Sequence, residues 1–231
     1  MTLRTLTPIE ARVLSTLMEK ARTVPDSYPL SLNALVLGCN QKTSRDPLME
    51  VTTDEVNTAL TSLKTLSMVF EGSSSRVPRF EHNFQRAVAV TEAQAVLLGL
   101  LMLRGPQTPA ELRSSGERWF KFASAAAVED VLLELSERGE SGGQLLAEKL
   151  PRMPGAREQR WVHLLCGMPD VQALAASLPL QDTPDLLLRV TALENTLAIL
   201  NDDNALLREQ VRFISDQLGI SLDGQVTKSR L

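Results

Sequence analysis

Apolar residues recur at helical spacing along the first 137 residues, in two sets that match each other. Ile9, Val13, Leu14 and Leu17 form one stripe. Leu32, Leu35 and Val36 form a second, and Val56, Leu60 and Leu63 a third. Spacings of three and four residues place such side chains on one face of a helix. Val96, Leu97, Leu100 and Leu101 then repeat the first stripe, and Val128, Leu132 and Leu135 repeat the third. Start signals agree. Thr7 precedes Pro8 and stands three residues before Glu10, Thr91 stands three before Gln94, and Thr108 precedes Pro109 and stands three before Glu111. Each pattern is a capping box, in which the hydroxyl and the acid or amide side chain satisfy each other's backbone N–H; proline is favoured at the first helical position because its missing N–H would be unbonded anyway. Further helices are expected to start near Ser31, near Thr52 or Thr53, and near Ser124.

Each set of helices is followed by a change of period. Residues 68–71 are an extended stretch, 72–75 (GSSS) a turn, and 76–82 (RVPRFEH) a second extended stretch. Residues 145–148, a longer turn with Pro151, Pro154 and Gly155, and 157–164 repeat this order. Short extended runs joined by Gly, Ser and Pro clusters predict hairpins. The text itself recurs: residues 7–18 (TPIEARVLSTLM) resemble 91–102 (TEAQAVLLGLLM), and 76–82 resemble 157–163 (REQRWVH). Two matches of one order at nearly one offset predict a duplicated domain. Three helices followed by a hairpin is the winged-helix plan, so the expected architecture is mainly α with small β-hairpins (α+β), with one winged-helix domain over 1–85 and another over 86–167.

Residues 168–185 carry Pro169, Pro179 and Pro184 and read as a linker. Beyond it the period changes again. Leu186, Leu193, Leu200, Leu207 and Ile214 fall at d positions of a heptad; Val190, Leu197, Asn204, Val211 and Leu218 fall at a. This predicts a coiled coil over 186–218 and a flexible tail over 219–231. A lone Asn at an a position pairs with its symmetry mate and fixes a parallel, in-register dimer. Arg189 opposite Glu194, and Asp203 opposite Arg208, suit the same alignment. The expected partner is therefore a second copy of the chain.

Charge narrows the possible partners. The chain of 231 residues has a net charge of −4. Residues 1–85 hold nine basic and nine acidic side chains, 86–167 ten and ten, and 168–231 five and nine. A basic footprint for nucleic acid must then be a local patch. Two distant cysteines, Cys39 and Cys166, form no disulfide framework. No apolar run approaches a membrane span, so a cytoplasmic protein with no membrane partner is expected.

Candidate chemistry lies in loops and wings. Between the second and third helices a polar loop carries Asn40, Gln41, Lys42 and Arg45. It can meet phosphate or a protein partner, or it can be a locally hydrogen-bonded connection. Trp119, Phe120 and Phe122 occupy its place in the second copy as packing groups or, alternatively, a base-stacking platform. The motif R-x-x-R-[F/W]-x-H puts Arg76 and Arg79, and Arg157 and Arg160, beside the wings, where they could contact phosphates or cover apolar surface with their stems. His82 and His163 have no ligand-spaced neighbours and read as structural; no metal or cofactor is expected. In the third helix, which would enter the major groove, Asn57, Thr58, Thr61 and Lys64 could read DNA, but Asp54 and Glu55 at its start repel phosphate. No phosphate loop, H-E-x-x-H, C-x-x-C or G-x-S-x-G occurs, so an enzyme is not expected.

Residues 6–13 (LTPIEARV), Glu19 and Lys20, 28–33 (YPLSLN), 39–43 (CNQKT) with Arg45 and Pro47, 103–113 (LRGPQTPAELR), and Pro154, Gly155, Arg157 and Glu158 resemble the bacterial YceH-like family of uncharacterised proteins. The resemblance spans residues 7–167 and implies two paired winged-helix domains. The functional expectation is a DNA-associated, non-enzymatic homodimer, with transcriptional regulation as one use. The alternative is an adaptor that binds another protein through the same domains.

Overall fold

A computed structural model describes residues 4–72, 77–138, 144–152 and 158–169, together with residues 204, 207, 208, 211 and 215, which are helical. The chain divides into two compact units, Met1–Leu178 and Pro179–Leu231. The first unit is α+β. Helix α1 (Pro8–Thr23) leads through a 3-10 turn (Pro25–Ser27) to strand β1 (Leu30–Ser31), helices α2 (Leu32–Cys39) and α3 (Thr53–Thr65), and strands β2 (Val69–Gly72) and β3 (Arg79–His82). A short helix α4 (Phe84–Val88) precedes α5 (Glu92–Arg104), α6 (Pro109–Gly116), α7 (Ala125–Glu137), β4 (Ala147–Lys149) and β5 (Trp161–His163). No helix among the described residues is long and apolar enough to cross a membrane.

The helix starts follow the sequence signals. Thr7 with Glu10, Thr91 with Gln94, and Thr108 with Glu111 form reciprocal capping boxes, and so does Thr52 with Glu55. Ser31 and Ser124 cap α2 and α7 with their hydroxyls alone. Strands β3, β4 and β5 are shorter than the extended runs suggest. Antiparallel β3 lies between β1 and β2, with Phe80 opposite Leu30 and Glu71, while β4 pairs with β5 and places Lys149 opposite Trp161. The pattern did not reveal β1, which has two residues, or α4, which has five. Elements that short carry too few periods to show as a pattern.

Both copies close in one way. Strand β3 reaches back to the residues that enter α2; in the second copy, Gln107, which enters α6, forms an isolated bridge with Trp161. Alternation then turns Phe80 and Trp161 inward, and they are 5% and 1% exposed. Arg79 donates to the Pro29 carbonyl and Arg160 to the Pro106 carbonyl, each at 2.8 Å. The duplicated motif is thus a clamp between hairpin and second helix.

The copies share one core. Every residue of α5 from Gln94 to Leu103 is buried, because α1 covers one side of it while α6 and α7 cover the other; a helix apolar all round is a buried helix. Gly99 marks the closest approach: a Cβ there would lie 2.9 Å from the Trp119 ring and 3.1 Å from Met18 Cε. Trp119 and Phe120 pack against the core and Phe122 belongs to it, so these aromatics pack rather than form a stacking platform. Two backbone bonds tie distant segments together: the Leu6 N–H donates to the Leu165 carbonyl, and the Asp46 N–H to the Leu103 carbonyl, both at 2.8 Å.

In the second unit, Asn204, Leu207, Arg208 and Val211 are helical and exposed. Leu207 and Val211, at d and a, are 57% and 48% exposed. The other heptad positions, Leu186, Val190, Leu193, Leu197, Leu200, Ile214 and Leu218, lie outside the described residues.

Candidate functional site

A concavity on the first copy opens between α3, the start of α2 and the β2–β3 hairpin. It encloses about 400 Å³, with Leu32, Leu60, Val77, Pro78 and Phe80 as apolar lining and Ser31, Asn33, Asn57, Thr61, Lys64 and Glu71 as polar lining. The local sequence explains the shape. Val56, Ala59, Leu60 and Leu63 hold α3 on the core, which turns Asn57, Thr58, Thr61 and Lys64 outward. The hydroxyls of Thr58 and Thr61 donate to the carbonyls of Asp54 and Asn57, leaving their lone pairs toward solvent. The structure therefore gathers Asn57, Thr61 and Lys64 at one mouth.

It does not gather the remaining cations there. Lys64 is engaged by Glu71 across the groove at 2.6 Å. Arg45, expected in a loop facing phosphate, is 6% exposed. Its guanidinium grips Glu19 at 2.6 and 3.2 Å, the Gly38 carbonyl at 2.9 Å and Gln41 Oε1 at 2.9 Å. Asn40 is also structural, because its side-chain amide accepts from the Val51 N–H and donates to the Val51 carbonyl, both at 2.8 Å. The loop is thus an internally bonded connection, and only Lys42 of its four candidates stays exposed.

Arg160 makes a two-pronged contact with Glu111, 2.8 Å on each prong. Glu111 is also the capping residue of α6, so one carboxylate holds a helix start and the hairpin together. Of the wing arginines, Arg79 is exposed beyond its bond to Pro29; Arg76 and Arg157 lie outside the described residues. The carboxylates that engage these cations, Glu19, Glu71 and Glu111, were missed as partners. Only Glu111 had a signal, through its place in a capping box.

The histidines of the duplicated motif share an environment. Burial holds both well below the ordinary range, at about 4, with Arg22 adding to the effect on His82. The Nδ1 atoms of His82 and His163 are buried without a hydrogen-bond partner. The His82 N–H donates to the Tyr28 hydroxyl at 2.6 Å, and the two rings meet edge-on at 6.3 Å. Burial raises the Tyr28 phenol to about 12 and the thiols of Cys39 and Cys166 to about 11, so thiolate is scarce at neutral pH. Among the described residues no three His, Cys, Asp or Glu side chains converge to hold a metal ion.

Comparison with known proteins places these features in a lineage. The family model described as "Protein of unknown function, DUF480" matches residues 6–156. A UPF0502 protein of Polaromonas sp. strain JS666 is 74% identical over 223 residues, covering 96% of this chain and 94% of that protein. UPF0502 proteins of Delftia acidovorans and Verminephrobacter eiseniae are 54% and 53% identical, over 95% and 94% of this chain and 95% and 88% of their own lengths. Family match and near full-length identity coincide on the unit that carries the duplicated clamp, and the chain belongs to the DUF480 family of UPF0502 proteins.

Proposed function

We propose that this protein is a non-enzymatic recognition protein built on two winged-helix domains, over 1–85 and 86–167, and that its first domain docks another protein through the groove between α3 and the hairpin. A linker over 168–185 leads to a parallel coiled coil over 186–218 that pairs two copies in the cytoplasm, with 219–231 as a tail. The order of elements supports the winged-helix assignment: helix, strand, helix, helix, then a hairpin whose second strand pairs with the first strand. The exposed apolar residues Leu207 and Val211, both helical, support the pairing. Scarce thiolate and histidines held neutral by desolvation support a role other than catalysis.

One observation carries the choice of a protein partner. The cations expected to meet phosphate are held by carboxylates of the same chain: Arg45 by Glu19, Lys64 by Glu71 and Arg160 by Glu111. Asp54 and Glu55 stand exposed at the start of α3, where a major-groove helix needs to approach the backbone. Phosphate contacts dominate affinity for duplex DNA, and this face offers few. The DNA-associated alternative is favoured by the outward row of Asn57, Thr58 and Thr61, side chains able to bond base edges.

The test is a photo-crosslinker placed at Thr61 of the full chain in cells, together with mobility-shift titration on genomic fragments at low salt. A discrete protein adduct lost on Leu32→Asp is the expected result. Shifted DNA with a steep salt dependence and no protein adduct overturns the protein-partner reading in favour of the DNA one.

A further inference from the structure

The two copies meet at a seam whose charge runs against that of the chain. Helix α1 contributes Arg12, Glu19 and Lys20; the loop after α2 contributes Arg45 and Asp46; the end of α5 contributes Arg104; and the segment after α6 contributes Arg118. Backbone and packing contacts hold these elements together. The Asp46 N–H donates to the Leu103 carbonyl, the Asp46 side chain lies against Gly105, and Trp119, next to Arg118, sits on Gly99 beside Met18. Arg104 lies in the field of Glu19, Arg45 and Arg118.

The five cations of this cluster face two carboxylates. Glu19 is already occupied, by Arg45 at 2.6 Å and Lys20 at 3.2 Å. Among the described residues Arg12, 1% exposed, donates only to the carbonyls of Cys39 and Pro47, and its Nε is buried without a partner there. A buried guanidinium with no carboxylate of its own is costly to desolvate. Among the described residues neither Arg104 nor Arg118 has a carboxylate at ion-pair distance. The carbonyl end of α5 favours one positive charge beside it, which accounts for Arg104 but not for Arg118 or for the buried Arg12. A compact excess of positive charge backed by low-dielectric protein concentrates anions from solution, and guanidinium forks match the oxygens of a phosphate.

We propose that this seam is a phosphate-binding site, in which the half-buried Arg104 and the exposed Arg118, with Lys20 at the edge, take a phosphate group while Arg12, which has no carboxylate of its own, supplies a fixed positive field behind it. The site lies apart from the α3–hairpin groove and does not depend on what that groove binds. Its oxygens can come from free phosphate, a mononucleotide or a nucleic-acid backbone.

Calorimetric titration of the full chain with inorganic phosphate, a nucleoside monophosphate and a short duplex, each against chloride at matched ionic strength, tests this. At least one should bind saturably, and Arg104→Gln with Arg118→Gln should weaken it by about tenfold or more. Arg118→Ala alone, at an exposed position, should weaken it without disturbing the fold, while Arg113→Gln, a surface arginine of α6, should not. Binding of phosphate alone makes this a small-anion site; binding confined to duplex, with a steep salt slope, assigns it to backbone phosphates. No saturable binding of any probe up to about 10 mM, or equal binding by wild type and the Arg104/Arg118 variants, overturns the proposal.

Discussion

Acidification should destabilise this protein more than its carboxylates alone can explain, because both of its histidines are largely desolvated, with their Nδ1 atoms buried. Each sits at about 4 in the folded chain, against about 6.5 when unfolded. The folded value is the lower one, so as pH falls the unfolded chain takes up protons first. The stability gained from keeping the imidazoles neutral is complete above about 6.5 and is lost through the window from 6.5 down to 4. At pH 5 an unfolded imidazole is almost fully protonated and a folded one about one-tenth so. The ratio of binding polynomials is then about 30, or about 2 kcal/mol for each histidine and about 4 kcal/mol for the pair. That is a large share of the 5–15 kcal/mol typical of a domain. Urea unfolding at pH 7.5, 6 and 5 measures it for wild type and for His82→Gln with His163→Gln. These are the only two histidines in the chain, so the difference between the two pH profiles isolates them whatever the variant's starting stability. Wild type should lose about 4 kcal/mol more than the variant between pH 7.5 and 5. Parallel profiles would refute the assignment of both imidazoles to a desolvated, neutral state.

Other expectations follow from single contacts. Arg45→Ala should cost about 1–3 kcal/mol in chemical denaturation, because it leaves the half-buried Glu19 carboxylate only Lys20 as a partner, whereas Arg45→Met with Glu19→Met should recover most of it; equal losses would show that the pair is not desolvated in solution. Gly99→Ala should lower stability by about 1–3 kcal/mol through overpacking against Trp119 and Met18, read as a lowered thermal midpoint; an unchanged midpoint would mean that α1 and α5 pack less closely. Thr52→Ala removes one capping box and should cost about 1 kcal/mol; no loss in urea denaturation would mean that the cap is dispensable. Asn204→Leu should tighten self-association while broadening its stoichiometry; a wild-type chain that sediments as a monomer at micromolar concentration would remove the basis for a coiled-coil dimer.

The helix starts, the inward Phe80 and Trp161 that strand alternation implies, and the recurrence of one motif, R-x-x-R-[F/W]-x-H, could be read before any coordinates. Each depends on residues within one or two turns of each other: Thr7 finds Glu10 three positions on, and strand alternation settles which way Phe80 faces. The fate of the candidate cations could not be read this way. Arg45 meets Glu19 across 26 positions and Arg160 meets Glu111 across 49, and no local period encodes such pairings. The sequence presents each arginine as a charge; only packing decides whether that charge faces solvent, a neighbour or the interior. The same holds for the seam. That residues 7–18 and 91–102 share an ancestry of pattern is plain in the text, but that α1 lies on α5, bringing Arg12, Arg45, Arg104 and Arg118 into one cluster, follows from burying two apolar helices against each other. Local chemistry determined what this chain's elements are, and the burial of their apolar faces decided which charges were left to do work.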